Sequence, residues 1–228
     1  MNRLIFIFLI FLSINCFGQK KKLFLRKGIS IDSVCILTPI TNVYSISKED
    51  SLELNLMSSQ LAETSINKAL QDVFPESINH IYKSVPLEDQ EKIKNSIIEH
   101  TNSYNSISSL KKIVINDSLI NQVNKAGYHY SLIILNSGFS RTSTNFINER
   151  IKAQIINLFL FGIVDAINSP IGVEIIVREK ASIMTAILID NRKHNIAFYK
   201  TTYNIKEDPY NQYVLKGMVR EIISDCLL

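Results

Sequence analysis

Two stretches of the 228-residue chain are apolar on both faces of a pleat: Ser33-Val34-Cys35-Ile36-Leu37-Thr38, and Tyr128 to Leu135. Successive side chains of a strand point to opposite faces, so a run without polar alternation must be covered from above and from below. The spans between such runs carry apolar residues at steps of three and four, the spacing of a helix face. The chain is therefore expected to be an α/β (α+β) protein: a single mixed β-sheet with helices packed on it, closing with a C-terminal β-hairpin followed by a helix.

Pro39 ends the first strand, and a loop is expected after it. Asp50-Ser51-Leu52-Glu53 has capping-box spacing, which predicts a helix with Leu54, Met57, Leu61, Leu70 and Val73 on its sheet-facing side, running to Phe74-Pro75. Residues 78 to 84 alternate as a weaker strand, Leu87 to His100 reads as a polar helix carrying Ile93 and Ile97, and 101 to 109 reads as loop. Lys112 to Ile115 is a short strand-like run, and Ser118 to Lys125 a short helix stopped by Gly127 at a C-cap position. Ile183 to Ile189 and Ile196 to Tyr203 flank the polar turn Asp190-Asn191-Arg192-Lys193-His194-Asn195 as a hairpin. Asp208 as N-cap and Pro209 at the first helical position open the last helix, with Tyr210, Val214, Met218, Ile222 and Cys226 inward.

The N-terminus gives an address. Met1-Asn2-Arg3 precedes an unbroken apolar run from Leu4 to Leu12, followed by Ser13-Ile14-Asn15-Cys16-Phe17-Gly18. Spanning a bilayer takes about 20 residues of helix, so this run reads as a secretory signal that is removed. Cleavage near Gly18 places Cys16 at −3 and Gly18 at −1, both small. Lipidation of Cys16 is the competing outcome, with Ser13 and Asn15 departing from the usual lipobox. The expected division is a signal peptide at 1–18, a basic N-terminal arm at 19–30 and a single α/β domain at 31–228, located in the periplasm or at the outer membrane. Export into an oxidising compartment leaves two readings for Cys35 and Cys226: one disulfide closing most of the chain, or two small buried hydrophobes.

The formal net charge is +4, but six of the 25 basic residues lie within the first 27 positions, leaving 19 against 21 acidic residues. Lys20, Lys21, Lys22, Arg26 and Lys27 could touch an anionic membrane surface or remain a solvated arm. No basic stripe interleaved with aromatics follows, so nucleic acid is not an expected partner.

Two later stretches carry candidate contacts. Gly138 to Asn145 reads as a hydroxyl-rich loop in which Ser140, Arg141, Thr142 and Ser143 could hold an anion or a partner, or could simply lead into a helix cap. Phe146 to Asn168 has a wide apolar face with Ile155, Leu158, Phe159 and Gly162, suited to a buried core helix, an oligomer interface or a membrane-surface element.

The motifs of familiar catalysis are missing. No G-x-S-x-G, S-x-x-K, G-x-x-x-x-G-K or G-x-G-x-x-G pattern occurs, and His80, His100, His129 and His194 are isolated from one another. No cofactor or metal is expected. An enzyme with dispersed residues would need a pocket that gathers titratable groups such as Arg141 and His129.

The Lys125-Ala126-Gly127-Tyr128-His129-Tyr130 step into an apolar strand, the hairpin turning at Asp190-Asn191 and the terminal helix together resemble a known envelope group. The chain is similar in pattern to the periplasmic α/β domain shared by the curli-secretion channel protein, small outer-membrane lipoproteins and the N-terminal domain of the Tol system's periplasmic translocation protein. That resemblance implies an exported, non-catalytic binding or assembly module with envelope protein partners and no catalytic residues to carry over. A membrane-associated homo-oligomer or secretion component, and an exported enzyme, stand as alternatives.

Overall fold

The computed structural model describes residues 23–25, 31–46, 52–102, 114–141 and 180–227. They form one mixed sheet with four helices packed on it. In chain order these are β1 (Leu23–Leu25), β2 (Ser33–Leu37), β3 (Ile40–Ile46), β4 (Leu52–Leu54), α1 (Leu56–Val73), β5 (Asn79–Lys83), α2 (Leu87–Asn102), α3 (Asp117–Val123), β6 (Tyr130–Arg141), β7 (Lys180–Asp190), β8 (Asn195–Asn204) and α4 (Gln212–Leu227). The sheet runs β1-β8-β7-β6-β2-β5, while β3 pairs with the far half of β6 and carries β4 on its outer edge.

The twelve-residue β6 is the spine, antiparallel to β7 on one side and parallel to both β2 and β3 on the other. Val34 to Ile36 faces Tyr130 to Leu132, and Ile40 faces Leu135. Four steps from Ile36 to Ile40 thus oppose three from Leu132 to Leu135, so one extra residue is absorbed at Thr38-Pro39. Proline has no N–H for the ladder and belongs at such an irregularity. Pro39 therefore interrupts a pairing rather than ending it: the loop expected after it is strand β3, whose polar Thr41, Asn42 and Ser45 hid its register.

Alternation along the strands divides two cores. Val34, Ile36, Leu132, Ile134, Met184, Ala186, Leu188 and Phe198 face α1 and α4, whereas Cys35, Leu37, Ile133, Leu135, Ile187, Ile189 and Tyr199 face α2 and α3. A three-layer arrangement is what strands apolar on both faces demand. It also settles the cysteines. Cys35 and Cys226 are buried free thiols that belong to opposite sides of the sheet, so no disulfide joins them. Burial pushes the Cys35 thiol up and the Cys226 thiol up to about 12, consistent with inert core packing.

Several element starts differ from expectation. Leu52–Leu54 is a strand, so Glu53 lies outside α1 and Asp50 outside the described residues; Asn55 is the cap, its side chain accepting from Ser58 N at 2.9 Å. The packed stripe of α1 is Ser59, Ala62, Ile66, Ala69 and Leu70. At α4, Asn211 Oδ1 accepts from Tyr213 N at 3.0 Å, while Asp208-Pro209 forms the preceding turn. Gly127, at φ +90°, stands in the turn beyond α3 rather than at its end, which Asn124 caps. Of the expected strand at 112–115, the described part is a single bridge between Val114 and Asn195. Leu23–Leu25, inside the expected basic arm, pairs antiparallel with Phe198 to Lys200 and extends the sheet. No helix among the described residues is long and apolar enough to cross a membrane.

Lys200 on β8 is 1% exposed beneath α4, where its ammonium meets Glu221 Oε1 at 3.0 Å and Asp225 Oδ2. A buried charge that loses its partners costs far more than one removed together with them. Replacing Glu221 with Gln and Asp225 with Asn should therefore destabilise the fold by about 3 kcal/mol or more. Lys200→Met leaves behind two partly exposed carboxylates that water can solvate and should cost clearly less, both read from urea unfolding midpoints at unchanged m-value.

Candidate functional site

At one end of the sheet, the segments that enter β6 and leave β7 are clamped together. The Asn191 amide donates to Asn124 Oδ1 at 2.9 Å and to the Tyr128 carbonyl at 3.2 Å, and its backbone N–H donates to the His129 carbonyl at 2.8 Å. Ser131 Oγ lies 3.1 Å from both Asn191 Oδ1 and the Val123 carbonyl. Asp190 Oδ1 accepts from the N–H groups of Arg192 at 3.1 Å and Lys193 at 3.0 Å, the local turn for which Asp is favoured. The Gly127-to-Tyr130 step and the Asp190-Asn191 turn, separate in the sequence, are thus one hydrogen-bonded lock.

His129 borders this lock. Its Nδ1 lies 2.7 Å from Asp32 Oδ2, and its Nε2 faces the Arg192 guanidinium. The imidazole thus lies between a carboxylate on its Nδ1 side and a cation on its Nε2 side. Ser33 Oγ completes the clasp, donating to Asp32 Oδ1 at 3.1 Å and accepting from His129 N at 3.1 Å. Desolvation tends to raise the Asp32 carboxyl, but the hydrogen bonds from Ser33 and His129 outweigh it and hold it below the ordinary value. An Asp-oriented histidine is half of a general-base arrangement, yet here Nε2 is directed at a cation rather than at a hydroxyl or thiol. The cluster joins the starts of β2 and β6 to the β7–β8 turn, a structural task.

The opposite end corrects the expected anion loop. Ser140 and Arg141 are strand, Ser140 paired with Ser45 and Lys180, Arg141 with Ile46. Arg141 is 7% exposed, its guanidinium carbon 5.8 Å from the Phe139 ring centroid. Gly138 suggested a loop, but its role is close packing: a Cβ there would collide with Pro209 Cβ and lie 2.9 Å from the Ala181 carbonyl. Arg141 and His129 sit roughly 40 Å apart along β6 at about 3.3 Å per residue, so no one pocket gathers them. Thr142 and Ser143 lie outside the described residues, as do Cys16 and the proposed interface residues Ile155, Leu158, Phe159 and Gly162. Among the described residues, no three His, Cys, Asp or Glu side chains are placed to hold a metal ion.

A different surface emerges beside β4, where the sequence placed core. Leu54, Leu56, Met57 and Leu61 are 47%, 64%, 72% and 47% exposed, four large apolar side chains within eight residues. Hydrogen bonds tie the segment that carries them to β3. Asn55 N donates to the Val43 carbonyl at 2.7 Å and Asn55 Nδ2 to Ser45 Oγ at 3.0 Å. Ser59 Oγ accepts from Val43 N at 2.9 Å and donates to the Asn55 carbonyl at 2.8 Å. These bonds turn small residues of α1 onto β3 and leave the leucines and Met57 outward. Exposed large apolar side chains this close together in the chain are a candidate interaction surface. The signal lay in Ser59, Ala62, Ile66 and Ala69, a second stripe outweighed by the larger residues beside it.

No protein-family model matches the chain, and no curated protein sequence is detectably similar to it. Solved structures overlap it in part. A PelC dodecamer from Paraburkholderia phytofirmans aligns at 8% identity and TM-score 0.37, covering 90% of this chain and 95% of that one. Lipoprotein GNA1162 from Neisseria meningitidis aligns at 11% identity and TM-score 0.30, over 84% of this chain and 94% of that one. The LpoB C-terminal domain from Salmonella enterica aligns at 11% identity and TM-score 0.29, over 79% and 87%. The similar structures are bacterial, and at these values no residue role carries across from them.

Two measurements test the lock. Asn191→Ala should destabilise the fold by about 2–3 kcal/mol by stripping partners from Asn124, Ser131 and the Tyr128 carbonyl, read from urea unfolding. Asp32 titrates below its unfolded value, so its contribution is present above that value and lost as pH falls through the lower folded one. Asp32→Asn should therefore flatten the loss of thermal stability as pH falls below about 4.

Proposed function

We propose that this is an exported, non-catalytic cell-envelope protein that acts as a binding or assembly module, with β4 and the first turns of α1 as its contact face. The carrying observation is the exposure of Leu54, Leu56, Met57 and Leu61 on a frame fixed by Asn55 and Ser59. A backbone already held by hydrogen bonds has less conformational entropy to lose when the surface is covered. Export rests on the leader: a signal peptide at 1–18, removed near Gly18 or processed at Cys16, followed by a domain that begins with the strand at Leu23. The distant structural overlaps are compatible with this reading and carry none of it.

A second reading, a membrane-associated oligomer or secretion component, draws on the apolar sequence from Ile155 to Val164. Its residues Ile155, Leu158, Phe159 and Gly162 would supply a further contact surface.

Changing Met57 and Leu61 together to Glu separates contact from folding. Both side chains are outward, so unfolding free energy should change by no more than about 0.5 kcal/mol per site. Gently extracted envelope material should nevertheless show this protein shifted from a large assembly to the size of its isolated chain. Unchanged assembly size in the stable variant would contradict the proposed face.

A further inference from the structure

The contact face at β4 and the start of α1 has a composition that limits what can cover it. From Leu52 to Thr64 the chain carries Glu53 and Glu63 and no Lys, Arg or His. Leu56, Gln60 and Glu63 fall at i, i+4 and i+7 of α1, so Glu63 borders the exposed apolar side chains. It is half-buried, and desolvation raises its carboxyl above the ordinary value with no cation among the described residues to offset it. Two copies meeting face to face would set four such carboxylates around one apolar contact, where like charges oppose association. A fitting occupant is apolar and basic.

One stretch of this chain has that character. Ile155 to Val164 contains Asn157 as its one polar residue, and from Arg150 to Val164 the charged residues are Arg150 and Lys152, with no Asp or Glu. Its attachment also suits the face. Residues 142–179 connect Arg141 of β6 to Lys180 of β7; Arg141 pairs with Ile46 of β3, and Ile46 in turn with Leu52 of β4. At about 4.8 Å per strand spacing, the connection departs roughly 10 Å from β4. Ile155 comes 14 residues after Arg141, a length of chain that reaches about 45 Å when extended. A neighbouring molecule is within that range. The chain's own face is too, yet Leu54, Leu56, Met57 and Leu61 remain about half or more exposed in the single chain. Their cover therefore comes from outside it.

We propose that the face receives the Ile155–Val164 stretch of a second copy of this chain, with Arg150 and Lys152 meeting Glu53 and Glu63. This inference rests on the contact face proposed above and names its partner. The contact is head-to-tail: each copy offers its face to one neighbour and its stretch to another, so copies continue into a ring or a filament.

Light scattering on the mature chain, purified without other proteins, tests this with two variants. One carries Met57→Glu and Leu61→Glu on the face, the other Leu158→Glu and Phe159→Glu on the stretch. The wild type should have the mass of several chains and each variant the mass of one. An equal mixture of the two variants should form a two-chain species and nothing larger, because one intact face then meets one intact stretch. A wild type with the mass of one chain, or a mixture that stays at one chain, would overturn the proposal. If the envelope assembly is then still lost with Met57→Glu and Leu61→Glu, the face stands and a different protein covers it; if it is kept, the face falls as well. Should Leu158→Glu with Phe159→Glu fail to fold, charge exchange gives a second comparison. Glu53→Lys with Glu63→Lys, and Arg150→Glu with Lys152→Glu, should each weaken self-association about tenfold at low salt. All four changes together should restore it, and failure to restore would contradict the pairing.

Discussion

The structure depends on one strand being buried from both sides. β6 pairs with β2, β3 and β7, and its side chains alternate between the α1–α4 core and the α2–α3 core. Leu132 and Ile134 require one helix layer, Ile133 and Leu135 the other, and at about 25 cal/mol per Å² of apolar surface each of these side chains stabilises the fold by about 2 kcal/mol. Pro39 supports the same spine. By absorbing a residue between β2 and β3 it lets one stretch of chain pair along both halves of β6 while keeping its apolar residues on the correct faces.

The two ends of β6 have different fates. One end is tied down by the lock through Asn191, Asn124 and Ser131 and by the clasp of Asp32, Ser33 and His129. Hydrogen bonds there consume the polar groups that resemble a reactive centre. At the other end the strand runs on beside β3 and β4, and there Asn55 and Ser59 hold the start of α1 against the sheet by its small residues. Anchoring through small residues necessarily directs the large ones outward. The apolar surface is thus a product of how α1 is attached, and the same bonds that expose it keep it fixed.

Much of this was legible in the sequence. Strands apolar on both faces, the hairpin at Asp190-Asn191 and the inner face of α4 follow from periodicity, since Met218, Ile222 and Cys226 recur every fourth residue and are buried. Features set by close approach were hidden. Leu54, Met57 and Leu61 outweigh Ser59, Ala62 and Ala69 in any count of hydrophobicity, so α1 reads as if turned about its axis. Gly138 reads as a loop because nothing near it in sequence shows that Pro209 packs there. For Cys35 and Cys226 the sequence leaves both a disulfide and two buried thiols open, and only the alternation of β2, which sends them to opposite layers, decides between these. The candidate contact face was consequently the least legible part, because it consists of residues whose composition alone assigns them to the core.

A photoreactive amino acid placed at Met57 in living cells reads directly whether the start of α1 is a contact surface, with the same probe at Glu88 on α2 as reference. If it is, position 57 yields a discrete protein adduct and position 88 none. Adducts from neither position, or equally from both, would contradict it.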